Sequence, residues 1–338
     1  MLLPFLHRVS DRHDLAPDEA REAMLAILSG DTSPAQIAAF LVALRMKGET
    51  AGELLGFARA MREKSERVIV EPPLLDTCGT GGDGGGTFNI STVAAFVVAG
   101  AGVRVAKHGN RSTTAGSQCG SAEVLETLGI SIAMAPQRAA EAIREIGIGF
   151  LFAPLMHPAM KHAHPARVEL KMRTAFNLLG PLTNPAGATR QLIGAPSEHA
   201  ASLMAQALTG LGAERAFVVH GSDGLDEVTT TGPTTVFDVH GGNVTRLTWN
   251  PSDFGIPQAT REALRGGDRH ANCQIVGEVL SGAKGPRRDI VLANAAAALI
   301  AAGKTADFRD AVQLAENAID SGAAWAKVEA LKRFSPGT

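Results

Sequence analysis

The chain has 338 residues, 45% of them hydrophobic and 20% charged, with a formal net charge of -2 at pH 7. This is the usage of a folded globular protein rather than a disordered tail, and the length suits one large α/β domain or a large domain with a small companion. The near-neutral balance excludes the broad basic field needed for non-specific nucleic-acid or membrane-surface binding, and leaves room only for a local cationic pocket.

Met1 to Leu6 is apolar but gives way to His7 and Arg8, too short a run for a signal-peptide core or a membrane span. The first seventy or so residues read as helices. Ser33-Pro34-Ala35-Gln36 joins an N-cap serine to a proline at the first helical position, and Thr50-Ala51-Gly52-Glu53 carries capping-box logic. Ile37, Phe40, Leu41 and Leu44 then share one face, as do Leu54, Leu55, Ala58 and Met61, which predicts a small helical bundle or a subunit contact.

The pattern changes at Glu71-Pro72-Pro73. Leu74 to Cys78, Val103 to Ala106, Ile148 to Phe152, Gln191 to Ala195 and Ala216 to Val219 read as strands. Ser91 to Ala99, Ser121 to Leu128, Gln137 to Ile146 and Glu198 to Leu211 read as the helices between them. That alternation predicts an α/β fold with a mainly parallel sheet flanked by helices over residues 71–338, after a helical domain over 1–70. Val236 to Thr248 reads as a hairpin around Gly241-Gly242, and the remainder as helices, including a buried Ala-rich one over Asp289 to Ala302. Cys78, Cys119 and Cys273 form no CxxC pair, so a disulfide or metal framework is not expected and the chain is expected to be cytosolic and reduced. Ligands of such sheets gather at the carboxyl ends of the strands, and the loops there are where chemistry is sought.

The strongest of these loops runs from Asp76 to Thr92, with six glycines in the eight residues from Gly79 to Gly86. Glycines let backbone N–H groups approach an anion, and the helix opened by Asn89 to Thr92 has an N-terminus that favours negative charge. The segment reads as a phosphate cradle. Gly79, Gly81 and Gly84 satisfy GxGxxG, yet the next strand ends in Lys107-His108 where a dinucleotide fold carries an acid, and no Gly-Lys-Ser/Thr follows. A phosphorylated sugar fits better than a nicotinamide or a nucleoside triphosphate. Lys107-His108-Gly109-Asn110-Arg111-Ser112-Thr113-Thr114, read as a loop, offers two positive charges and a row of hydroxyls to a pyrophosphate. His220 to Glu227 ends in adjacent acids that suit magnesium, which takes few protein oxygens. Pro165 to Pro185 mixes cations with apolar residues, and an arginine fork there would suit an aromatic carboxylate as well as a structural ion pair.

These residues carry a resemblance. Gly79-Thr80-Gly81-Gly82-Asp83-Gly84, Lys107-His108-Gly109-Asn110-Arg111, Gly120-Ser121-Ala122, His157-Pro158-Ala159-Met160, Arg173-Thr174 with Phe176-Asn177-Leu178-Leu179-Gly180-Pro181, and Gly224-Leu225-Asp226-Glu227 occur in the order of the anthranilate phosphoribosyltransferase family. That family is the tryptophan-pathway member of the group that includes the pyrimidine nucleoside phosphorylases. The resemblance implies that Gly79, Gly82, Asp83, Thr87, Asn89, Ile90, Ser91, Thr92, Lys107 and Ser121 bind phosphoribosyl pyrophosphate (PRPP). It further implies that Ser91, Asp226 and Glu227 serve magnesium (Mg2+), and that Gly79, His108, Asn110 and Arg167 contact anthranilate. It also implies a homodimer joined through the helical domain, into which a segment near 165–185 folds. Two departures stand out: residues 112–119 are about two longer than the family pattern, and Lys171 stands where the family often has glycine.

The implied reaction displaces pyrophosphate from the ribose C1 carbon by the amine of anthranilate, a step governed by positioning and electrostatics rather than by a strong base. The rival readings are a pyrimidine nucleoside phosphorylase of the same fold and a non-catalytic paralogue that binds a nucleotide or nucleic acid.

Overall fold

The computed structural model describes residues 1–81, 86–112 and 119–335. The chain opens with helices α1 (Leu3–Ser10), α2 (Pro17–Leu28), α3 (Pro34–Lys47) and α4 (Ala51–Glu63). Their starts are fixed locally: Gln36 N donates to Ser33 Oγ at 3.3 Å, and Glu53 N donates to Thr50 Oγ1 at 3.2 Å while Thr50 N donates back to Glu53 Oε2 at 2.9 Å. Glu53 is fully buried, and it also accepts from Leu15 N and Lys47 Nζ, so one cap ties α4 to α3 and to the segment entering α2.

The α/β part follows as β1 (Leu75–Gly79), α5 (Ile90–Gly100), β2 (Val105–Gly109), α6 (Ser121–Thr127), α7 (Pro136–Glu145) and β3 (Ile148–Phe152). Three short helices come next, α8 (Ala153–Met156), α9 (His164–Leu170) and α10 (Phe176–Leu179). The chain then forms β4 (Arg190–Gly194), α11 (Glu198–Gly210), β5 (Arg215–Gly221), β6 (Thr234–His240) and β7 (Asn243–Trp249). It closes with α12 (Arg269–Leu280), α13 (Pro286–Ala301), α14 (Phe308–Asp320) and α15 (Ala323–Phe334).

The sheet has seven strands in the order β3-β2-β1-β4-β5-β6-β7. β1 to β5 are parallel, and the hairpin β6-β7 adds antiparallel strands at one edge. After β1 the chain moves outward through β2 and β3, then returns to lay β4 on the other side of β1, with Gly79 opposite Gly194. The order reverses there, and loops leaving β1 and its neighbours open a crevice.

Alternation along the strands divides the core between the two faces. Leu75 and Leu192 point into a cluster built on α5 and the almost wholly buried α13. Cys78, Ile193, Ala195 and Val218 point into a second cluster that also holds Ile37, Phe40, Leu54 and Phe57 of the helical bundle. Ala166 of α9, together with Phe176 and Leu179 of α10, joins that second cluster, and α9 packs on α3 while α10 packs on α4.

Two strands run past their expected ends by two residues or more. β2 begins and ends later, because Lys107 and His108 belong to the strand and are only 3% and 6% exposed. β5 continues through His220 and Gly221, which pair with Thr235 and Thr234. No helix among the described residues is long and apolar enough to cross a membrane.

Candidate active site

A cleft of about 280 Å³ opens at the carboxyl ends of β1, β2 and β5. Gly79, Thr87, Asn89, Ile90, Ser91, Thr92, Lys107, His108, Asn110, Ser121, Arg167, Asp226 and Glu227 all line it. Gly82 and Asp83 lie outside the described residues, as do Thr113 and Thr114.

The acidic end is held by two backbone N–H donors and one hydroxyl. Asp226 Oδ2 accepts from Gly81 N at 3.0 Å and from Thr80 Oγ1 at 3.4 Å, and Glu227 Oε1 accepts from Ser91 N at 3.2 Å in the first turn of α5. A carboxylate at a helix N-terminus is electrostatically favoured. The cleft thus presents two carboxylates and the Ser91 hydroxyl. Among the described residues no group of three or more His, Cys, Asp and Glu side chains gathers into an all-protein metal cage. A few hard oxygen donors in an open cleft fit magnesium, which commonly completes its shell with waters and substrate phosphates.

Beneath these groups lies a buried network. Lys107 Nζ donates to Thr77 O at 2.6 Å and lies 3.5 Å from Ser91 Oγ. Burial pulls its ammonium below the usual lysine range, and the nearby Asp76 carboxylate opposes that fall. Asp76 is fully buried and accepts from His108 N at 3.1 Å and Asn184 Nδ2 at 2.8 Å. Burial pushes its carboxyl up, against the lowering effects of Lys107 and both hydrogen bonds. Asp76 opened the segment read as the cradle but was given no role of its own, although an acid inside an apolar strand is a visible signal of a paired buried charge.

His108 Nδ1 lies 3.1 Å from Gly180 O, so it carries the proton and leaves Nε2 as an acceptor. Burial, with the neighbouring His157 5.1 Å away between ring centroids, lowers the His108 pKa to about 3, and the ring is neutral through the physiological range. His108 Nε2 and the buried Thr92 Oγ1 have no hydrogen-bond partner among the described residues. Such unmet capacity beside a cleft suits a polar ligand.

Another part of the lining is aromatic and cationic. Arg167 Cζ stands 5.0 Å from the centroid of the Phe176 ring, and burial lowers the guanidinium pKa. Phe176 stood in a quoted motif but was assigned no contact, since its ring meets Arg167 only once α9 and α10 fold.

The reading of residues 107–114 as a loop with two available charges needs correction. Lys107 is strand, and Arg111 makes two bonds to Glu126 at 2.7 and 2.6 Å, so its charge is offset at the cleft rim. Ser121 Oγ donates to Asn110 O at 3.3 Å and holds the same rim.

A helical bundle on a mainly parallel sheet, with a cleft that holds oxygen donors and a buried lysine together with an arginine–aromatic pair, is the architecture of a group-transfer enzyme for phosphorylated substrates. The chain belongs to the glycosyl transferase family: the family's helical bundle domain matches residues 3–65 and its α/β domain matches residues 71–325. It is 64% identical over 339 residues to the anthranilate phosphoribosyltransferase of Solibacter usitatus, covering 99% of this chain and 98% of that one. The crystal structure of anthranilate phosphoribosyltransferase from Thermus thermophilus superposes with a TM-score of 0.92 at 44% identity, covering 97% of this chain and 98% of that one. That of Saccharomyces cerevisiae in complex with PRPP and magnesium gives 0.90 at 29% identity, covering 99% and 97%.

Proposed function

We propose that this chain transfers the phosphoribosyl group of PRPP to the amine of anthranilate, releasing pyrophosphate, as a step of tryptophan biosynthesis. The observation that carries this reading is the pairing, in one cleft, of the Asp226–Glu227 acidic end with the Arg167–Phe176 wall. The first suits a metal-bound diphosphate and the second an aromatic carboxylate.

In the reaction the bond from ribose C1 to the pyrophosphate oxygen breaks as the amine nitrogen bonds to C1, and the amine then loses a proton. Ser91, Asp226 and Glu227 would hold magnesium, which offsets diphosphate charge when bound. Lys107 adds a fixed ammonium whose position is set by Thr77 O and Ser91 Oγ. The glycine loop, with Gly79, Gly82, Asp83, Thr87, Asn89, Ile90 and Thr92, together with Ser121, binds the phosphoribosyl half in this reading. Arg167 and Asn110 orient the carboxylate of anthranilate, and the neutral His108 offers Nε2 as an acceptor to a donor group.

The active unit is a homodimer joined through residues 1–70 and the segment near 165–185, and it works in the cytoplasm. Exposed apolar side chains support the dimer, with Leu3 40%, Met46 69%, Val168 53% and Met172 39% exposed on and beside α1, α3 and α9. Sedimentation at micromolar concentration tests the dimer. Loss of anthranilate fluorescence with PRPP and magnesium tests the reaction. Thymidine cleavage by phosphate without PRPP-dependent fluorescence loss would overturn it.

A further inference from the structure

Asn89 occupies the N-cap position of α5, where an asparagine side chain ordinarily accepts from the helix's own first-turn N–H groups. Here it makes no such cap. Its Nδ2 donates to Cys119 O at 3.2 Å, and its Oδ1 accepts from Asn272 Nδ2 at 3.1 Å. Asn272 lies early in α12, is only 2% exposed, and accepts through its Oδ1 from Gly267 N at 2.8 Å.

The two ends of this chain of bonds are backbone groups, and each can play one role only. The Gly267 N–H must donate and the Cys119 carbonyl must accept. Both amides between them therefore have a single permitted orientation, and the bonds run in one direction from residue 267 through Asn272 and Asn89 to residue 119. The glycine-loop exit is tied to the same segment by backbone, since Thr87 bridges Arg265 antiparallel and Gly266 N donates to Gly86 O at 3.1 Å. At the far end, Cys119 immediately precedes the Gly120-Ser121 start of α6.

We infer that Asn272 is a positioning residue for the PRPP half of the cleft, setting the distance between the glycine-loop exit and the start of α6 through the Asn89 amide. Asn272 does not touch the substrate; it removes the rotational freedom of a side chain that lines the cleft, and buried bonds of this kind reinforce one another. The inference rests on the PRPP reading given above.

Asn272→Asp is the discriminating variant. A carboxylate is isosteric and still accepts from Gly267 N, but it cannot donate to Asn89, so it cuts the relay at one bond while leaving the packing of α12 in place. The KM for PRPP should rise about tenfold and the KM for anthranilate should change by less than about twofold. In an Asn89→Ala background the same substitution should add much less than it costs alone, because the amide relay is already cut and only the direct contact of Asn272 with the Cys119 side chain is left to lose. Equal losses for both substrates, or full additivity with Asn89→Ala, would overturn the inference and leave Asn272 a purely structural residue. If Asn272→Asp does not fold by circular dichroism, the smaller neutral Asn272→Ser is read by the same criteria. A wild-type protein that consumes no PRPP refutes the functional reading and the relay together, whereas an active wild type with an unsplit variant refutes the relay alone.

Discussion

Asp226 rests directly on Gly194: a Cβ added to that glycine would lie 1.7 Å from the Asp226 carbonyl oxygen. Gly79, its partner across the ladder, would bring a Cβ within 2.7 Å of Asp226 Oδ2. The acidic end of the cleft is thus seated on a bare step in the sheet. Gly194→Ala should displace the Asp226 loop, at a cost of about 1 to 3 kcal/mol in stability and about a tenfold rise in the magnesium needed for half-maximal rate. Magnesium titration beside a thermal melt checks this. An unchanged magnesium response would mean that the contact does not hold the carboxylate.

Asp226→Asn combined with Glu227→Gln keeps the shape of both side chains and removes both negative charges. Turnover should fall by about 10²-fold at limiting magnesium, and excess magnesium should recover part of it. Retained wild-type turnover at limiting magnesium would remove both residues from the metal site.

Arg167→Lys exchanges a planar fork over Phe176 for a single ammonium. The KM for anthranilate should rise about tenfold or more, through partial loss of a charge-assisted bond pair and of the cation–π contact. The KM for PRPP should move much less, since Lys107 and the glycine loop are untouched. Varying each substrate in turn decides it, and equal losses for both would point to a folding defect.

His157 is buried beside His108, and burial lowers its pKa to about 4. Between pH 6.5 and about 4 the unfolded chain takes up a proton that the folded chain refuses, so this residue's share of stability is lost as pH falls through that window and is intact above it. His157→Phe keeps a ring but cannot titrate. Urea unfolding at pH 7, 6, 5 and 4 should show a shallower acid loss for the variant, by up to about 1.4 kcal/mol per pH unit. Parallel curves would show that His157 is protonated as readily in the fold as out of it.

Elements whose causes are local were legible in the sequence. Ser33 and Thr50 cap the helices they were expected to start, and Gly241-Gly242 turns the β6-β7 hairpin. The glycine loop read as a phosphate cradle and the Asp226–Glu227 pair as suited to magnesium, and the described residues of both line one cleft. What the sequence concealed was the choice of partners. Lys107 and His108 look like loop residues until Thr77 O and Asp76 supply buried partners from the neighbouring strand. Arg111 looks available until Glu126 on α6 claims it, and nothing near Asn272 in the chain hints at Asn89. Each pairing is settled by tertiary contact, which overrides the local preference of a polar residue for solvent.

The place of β4 in the sheet has a consequence for how the chain comes together. Leu75 pairs with Arg190, so one edge of the central strand β1 has no partner until more than a hundred further residues have been made. Pairings so distant in sequence are slow to close, and an open apolar edge is a template for another chain. During synthesis β1 is therefore exposed to mispairing for the whole interval in which residues 80–190 emerge. Aggregation of truncated chains ending before β4 should exceed that of the full chain, in which β1 and β4 are each paired on both sides.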